Sequence, residues 1–284
     1  MEDILTARLK QKIKEIKKEI PNALVQRNII KEELHYYVLN FIYNHPEYSK
    51  WTMYGGSVLR ICHNLDRMSV DLDFEIEELP NLKKIKEELL KHFEQEYNVN
   101  SSILEITIRK NRGVKLKFEI AEKLKISTAS PKIHIKIDLN IFKSKKAETE
   151  KLPILNKKWP LPFLIKTYTI ENLMASKIAA VLGRRERKRG KKLFGYKAED
   201  IYDLIWYMQK QITPNLKYLK EKNFKFKSLK ELFMALNTKL EKVEDKHLKE
   251  KLTPLFKDQK TIRNWLRNWR DLFYAYKKQY PIHN

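Results

Sequence analysis

A chain of 284 residues, 42% of them hydrophobic, is long enough to bury a core in one large domain or two modest ones. Its 59 Lys and Arg against 36 Asp and Glu leave a formal charge of +23, which points to a polyanionic partner, nucleic acid first, or to a solvated lysine-rich surface. One cysteine, Cys62, excludes an intrachain disulfide and a multi-cysteine zinc site; with no signal peptide and no run of about 20 apolar residues, a soluble cytoplasmic protein with no membrane partner is expected.

Helical periodicity opens the chain in "ARLKQKIKEIKKEI" and "ALVQRNIIKEELHYYVLNFIYNH", with Pro21-Asn22 between them. After "GGS" the pattern predicts a short helix, a strand over Ser69–Glu77, and a charged helix over Leu82–Tyr97. Three more alternating segments follow: "SILEITIRK", "GVKLKFEI" and "KIHIKIDLNIF". Strands mixed with helices give way to an almost wholly helical second half, so an α+β fold with a mixed sheet and a helical C-terminal domain is expected. The seam falls near "KKWPLPFLIKT", where Pro160 and Pro162 interrupt regular structure, giving domains at 1–162 and 163–284.

The strand over Ser69–Glu77 puts Val70, Leu72, Phe74 and Ile76 on one side and Asp71, Asp73, Glu75 and Glu77 on the other. Carboxylates two positions apart project in parallel and resist ionising together unless a cation joins them. Mg²⁺ suits such a pair, because it takes one or two carboxylates and completes its shell with water and phosphate oxygens. A lone D-x-D is more often an ordinary half-exposed strand edge. Upstream, Gly55 and Gly56 permit close backbone approach, and a helix start behind them would turn free N–H groups and the Ser57 hydroxyl toward phosphate; alone, Gly-Gly-Ser is a plain turn. Asp138, opposite the isoleucines of its strand, can complete a metal site and accept a proton, or be a solvated polar residue.

Later, "TIENLMASKIAAVLGRR" has Thr169 as an N-cap and places Lys177 on the core stripe of Ile170, Leu173, Met174, Ile178, Val181 and Leu182. That lysine either snorkels or reaches a polar cavity. Asp200 borders the buried face of "KAEDIYDLIWYMQK" near the helix start, as a cap or as a partner that fixes Lys177 beside a phosphate.

The ungapped "GGSVLRICHNLDRMSVDLDF", followed by "IENLMASKIAAVLGRR" and "DIYDL", resembles the nucleotidyltransferase toxins of the AbiEii/AbiGii type, related to the mycobacterial MenT toxins. The match covers about Tyr54 to Tyr207. The resemblance implies a polymerase-β-like nucleotidyltransferase domain, Mg²⁺ as cofactor, a nucleoside triphosphate as substrate, a separate antitoxin as partner, and RNA, tRNA in particular, as acceptor. Carried over, Gly55, Gly56, Ser57 and Arg60 would hold the triphosphate, Asp71 and Asp73 the metals with Asp138 less securely, and Lys177 and Asp200 would be further catalytic residues.

The segment after this helix is lengthened and basic. Arg184, Arg185, Arg187, Lys188, Arg189, Lys191 and Lys192 fall in a run with Gly190 and Gly195 that reads as a mobile loop, able to grip an RNA backbone or simply solvated. At the C-terminus, Trp265, Trp269, Leu272 and Tyr276 fit a core stripe better than a base-stacking one. His63 and His134 lack ligand spacing. The expected function is transfer of a nucleotide from an NTP to an RNA 3′ hydroxyl; the alternatives are transfer to a protein hydroxyl, or a regulatory protein that binds nucleotide and nucleic acid without turnover.

Overall fold

A computed structural model describes residues 3–281 except 111, 128, 143, 155–158, 160, 161, 185, 186, 190 and 191; for 187–189 and 192–194 it describes the backbone alone. The chain forms two compact units: residues 1–143 with 151–167, and 144–150 with 168–284.

In the first unit, helix α1 (Ile4–Lys17) starts at Asp3, whose Oδ1 accepts the Thr6 N–H at 2.7 Å. Pro21 ends the first helical run, and α2 (Ala23–Asn44) restarts under Asn22, whose Oδ1 accepts from Leu24 and Val25. From Tyr37 to Tyr43 every residue of α2 is buried, so this helix is central rather than peripheral. The strand β1 (Thr52–Tyr54) runs into α3 (Gly56–Cys62), then β2 (Leu72–Ile76) and α4 (Leu82–Tyr97). Strands β3 (Leu104–Ile108), β4 (Gly113–Glu119), β5 (Lys132–Ile141), β6 (Thr149–Pro153) and β7 (Leu164–Tyr168) follow. The seven make one mixed sheet in the order β3-β4-β5-β2-β1-β7-β6. β2 lies parallel to β5 and antiparallel to β1, while β3, β4 and β5 form an antiparallel meander.

Period-two alternation decides the sheet's faces. Leu72, Phe74, Leu104, Ile106, Leu116, Phe118, Ile133, Ile135 and Ile137 are buried and share one face. Phe93 of α4 packs edge-on against Phe118 at 5.4 Å, and Tyr37 of α2 meets Tyr97 of α4 at 4.8 Å. The other face carries Asp73 and Asp138 with Lys115, Lys117, Lys132 and Lys136.

The second unit continues with α5 (Ile170–Gly183), β8 (Arg187–Arg189), β9 (Lys192–Phe194), α6 (Ala198–Gln209), α7 (Leu216–Glu221), α8 (Leu229–Leu240), α9 (Asp245–Leu252) and α10 (Gln259–Lys277). Helix α6 is buried from Asp200 through Met208, the pattern of a helix enclosed on all sides. Tyr202 sits against Phe256 and Trp265, and α10 buries Ile262, Trp269 and Phe273; Trp265, Leu272 and Tyr276 are only half-buried. The Trp269 indole donates to Asp245 at 2.9 Å, a structural bond that fixes the ring in place. No helix among the described residues is long and apolar enough to cross a membrane.

Three short strands, β1, β6 and β7, go beyond the sequence reading, which placed only a break near β7. The basic segment expected as a loop instead pairs β8 with β9 as an antiparallel ribbon, Arg187 opposite Phe194 and Arg189 opposite Lys192.

Candidate active site

Ser69, Val70 and Asp71 precede β2 rather than opening it, because Ser57 and Ser69 hold this approach segment. The Ser57 hydroxyl, fully buried, donates to the Asp71 carbonyl and lies 2.9 Å from Ser69 Oγ. Of the four acids expected on one side of the strand, Asp73 and Glu75 lie within it, Asp71 before it and Glu77 after it. Glu75 is buried and receives Asn140 Nδ2 at 3.5 Å.

Parallel pairing of β2 and β5 sets Asp73 directly beside Asp138, with Asp71 two residues back on the same side. On β1, Tyr54 is opposite Asp73, and the chain then turns through Gly55, at φ +81°, into α3. A Cβ at residue 55 would lie 2.9 Å from Asp73 Oδ2, so only glycine lets the turn close on this carboxylate. A Cβ at Gly56 would meet Arg67 Nη2 at 2.4 Å; Arg67 is buried and donates to the Met68 carbonyl. Gly55 offers no side-chain cap to α3, leaving the first-turn N–H groups without a capping side chain. Gly113, at φ +118°, stands opposite Asp138 on β4.

Cations already face these acids. Lys136 Nζ lies 3.1 Å from Asp71 Oδ2, and Arg109 donates to Asp138. Arg60 reaches away, with Nε 2.9 Å from Glu32 Oε1 and Nη1 donating to the Leu65 carbonyl, so it braces α3 against α2. His35, buried on α2, is pushed down to about 4 by burial, which outweighs the nearby Asp71 charge.

Among the described residues no cluster of three or more His, Cys, Asp or Glu forms a ready-made metal cage. The donor chemistry nonetheless fits a divalent ion: Asp73 and Asp138 supply hard oxygens from adjacent strands, and Mg²⁺ takes only one or two carboxylates. A metal bound here would displace Arg109 from Asp138, and one reaching Asp71 would displace Lys136.

In the second unit, Lys177 does not snorkel. Its Nζ lies 2.8 Å from Asp200 Oδ1 and 2.8 Å from Asp203 Oδ2, while Arg184 Nε donates to Asp200 Oδ2 at 2.7 Å. Burial pushes the Asp200 carboxyl up, but Lys177 and Arg184 outweigh it and hold the group at about 2. Arg184, read as a nucleic-acid contact, is thus held within this network. Asp203 was not singled out by spacing, yet a second aspartate three residues on in a helix apolar on every side signals a buried cation partner. Arg185 and Lys191 lie outside the described residues, as do the side chains of Arg187, Lys188, Arg189 and Lys192.

Thr169 begins α5 as expected, but its hydroxyl accepts from Asn172 Nδ2 at 2.8 Å instead of capping a backbone N–H.

This architecture resembles solved structures across nearly its whole length. MenT4, a nucleotidyltransferase toxin from Mycobacterium tuberculosis, is 14% identical with a TM-score of 0.55, covering 95% of this chain and 90% of that one. JHP933 from Helicobacter pylori is 16% identical with a TM-score of 0.45, covering 88% and 97%, and an antigenic nucleotidyltransferase-like protein from Paracoccidioides brasiliensis is 16% identical with a TM-score of 0.40, covering 80% and 97%. No curated protein matches the chain. The first similarity establishes a shared fold, with a mixed sheet and C-terminal helices. The decisive likeness is in sequence: the family model described as "Nucleotidyl transferase AbiEii toxin, Type IV TA system" matches residues 38–278, from the middle of α2 to just past α10. The chain therefore belongs to the AbiEii nucleotidyltransferase toxin family and is a nucleotidyltransferase of the toxin–antitoxin kind.

Proposed function

We propose that this chain transfers a nucleoside monophosphate from an NTP to the 3′ hydroxyl of an RNA, tRNA in particular, using Mg²⁺ held by Asp73 and Asp138 with Asp71 beside them. The observation that carries the reading is the register that sets Asp73 beside Asp138 while the Gly55 turn closes on Asp73 Oδ2. Residues 1–162 would be the catalytic domain and 163–284 the helical one.

In this reaction the acceptor oxygen forms a bond to the α-phosphorus, the bond to the bridging oxygen breaks, and pyrophosphate leaves. Bound Mg²⁺ would neutralise triphosphate charge and align attacking and leaving oxygens. The backbone N–H groups at Gly56 and Ser57 would take phosphate oxygens, which the absence of side chains at 55 and 56 permits. Asp138 would take the proton of the attacking hydroxyl once Arg109 releases it. Ser57 acts through its bond to the Asp71 carbonyl, holding the approach to β2 rather than touching substrate through its hydroxyl.

The type IV description supports a separate antitoxin as partner, and the reading places the reaction in the cytoplasm. The test is incubation of the purified protein with total RNA, Mg²⁺ and each α-labelled NTP in turn. Label in tRNA supports the reading; label in protein moves the acceptor to a protein hydroxyl, and binding without label defeats transfer.

A further inference from the structure

We propose that the basic side chains on the polar face of β4, β5 and the first half of α2 bind the phosphates of the accepting polynucleotide. The proposal rests on the reading of the neighbouring acids as the transfer site. In the antiparallel register Lys115 stands opposite Lys136 and Lys117 opposite His134, so four basic groups form a two-by-two patch on the face that carries Asp138. Along the strand edge, Arg27 of α2 is anchored by the carbonyls of Ser130, at 3.0 Å, and Lys132. Lys31 follows one helical turn later on the same face of α2.

The available carboxylates are few and already engaged. Glu105 takes Lys117 at 2.7 Å and Lys132 at 3.3 Å, and Asp71 takes Lys136. Lys31 and Lys115 have no carboxylate within ion-pair distance among the described residues. Both are half-buried. Burial, then the neighbouring cations, hold Lys115 below the usual lysine range; Lys31 is lowered by burial first, with Asp71 opposing and Arg27, Lys136 and Lys115 reinforcing. His134 falls to about 4 through burial and then Lys115, Arg27, Lys31 and Lys117. His134 is thus neutral near pH 7, and the charges crowded together are those of Lys31, Lys115, Arg27 and Lys136, which oppose one another until an anion sits among them.

The patch is too long for one phosphate. From Lys132 to Lys136 it follows β5 for about 13 Å, at roughly 3.3 Å per residue, and it spreads sideways onto β4 and α2. In the strand order β2 separates it from the Gly55 turn, the place proposed for the NTP. Lys136 is two residues from Asp138, so a strand lying here delivers its last phosphates next to the proposed reaction centre. A chain of phosphates, rather than a second triphosphate, matches this extent.

The test is fluorescence anisotropy of a 5′-fluorescein-labelled tRNA and of a fluorescent NTP, with the Lys31→Gln/Lys115→Gln double variant, the Lys31→Arg/Lys115→Arg double variant and Asp73→Asn. The glutamine variant is expected to bind tRNA at least tenfold more weakly and to lower the slope of log Kd against log salt by one to two, from about 0.7–0.9 per phosphate contact. Its NTP affinity stays within twofold of the parent, and the arginine variant restores tRNA binding. Unchanged tRNA affinity in the glutamine variant overturns the proposal, as does a loss confined to NTP or to poly-L-glutamate used as an acidic-protein probe. Asp73→Asn separates the two readings: it keeps tRNA binding, and if it also keeps transfer, the active-site reading falls while the patch stands.

Discussion

The two charged centres of this protein are built on opposite terms. On the sheet, the Asp71 and Asp138 side chains are 30% and 32% exposed, with Lys136 and Arg109 across from them at 38% and 29%. In the helical unit, Lys177, Asp200 and Asp203 are 9%, 6% and 0% exposed and are bonded to one another. Water screens the first set, so its pairs are worth little and can exchange partners. The second is desolvated, so its pairs are locked: removing one member strands the others. The first set can therefore trade a partner for an incoming ion at little cost, whereas the second cannot lose a member without stranding a buried charge.

The contrast can be broken most severely at Asp73. Asp73→Asn should reduce nucleotide transfer about a thousandfold, or about 4 kcal/mol of barrier, with the melting temperature kept within a few degrees. Residual transfer above a tenth of the parent would take the metal-binding role from the sheet. Lys177→Met should do the reverse of a surface change, lowering unfolding free energy by about 3 kcal/mol in urea titration, because it leaves Asp203 buried without its cation. A loss under 1 kcal/mol would mean that this network is not locked at all. Gly55→Ala forces an L residue to φ +81° and drives its Cβ toward Asp73 Oδ2, so a stability loss of about 2 kcal/mol and impaired transfer are expected together.

Acid should sharpen the difference further. His35 titrates near 4 in the fold against 6.5 when exposed, so the unfolded chain binds more protons as pH falls from about 6.5 to 4, and stability declines there. Asp200, held at about 2 against 3.8, contributes stability that is present above about 3.8 and is lost as pH falls through about 2. A melting temperature flat from pH 7 to 4 would refute the His35 assignment, and one flat from pH 4 to 2 would refute that of Asp200. The smallest effect belongs to Lys136→Met: its pair with Asp71 is solvent-screened, and thermal unfolding should move by less than about 1 kcal/mol.

Alternation made the face of β5 legible, and with it Asp138, because each inward isoleucine is forced by burial and each outward residue follows. The helix over Leu82–Tyr97 was equally plain from its charge pattern, and the structure adds Asn81 as its cap. The sequence could not show that Glu75, polar in pattern, becomes buried between Thr52 and Asn140, since that depends on which strands flank β2. Strands β1, β6 and β7 lack the clean apolar–polar alternation that marked β2 and β3, and β1 has only three residues. Lys177 with Asp200 was visible as an exception to the core pattern, whereas Asp203 and Arg184 needed the helices brought together before their roles emerged. The resemblance offered Arg60 as a phosphate ligand, and its partners, Glu32 from 28 residues earlier and the Leu65 carbonyl, were not visible from the pattern.

The adjacency of Asp73 and Asp138 also sets a clock on synthesis. Sixty-five positions separate them, and β5 must emerge from the ribosome before β2 has its parallel neighbour. At roughly 5–20 residues per second that interval lasts about 3 to 13 s, during which the nascent chain carries its first aspartates and glycine turn without the third acid beside them. Until then the parallel pairing that sets Asp73 beside Asp138 cannot form, however far the earlier strands and helices have folded.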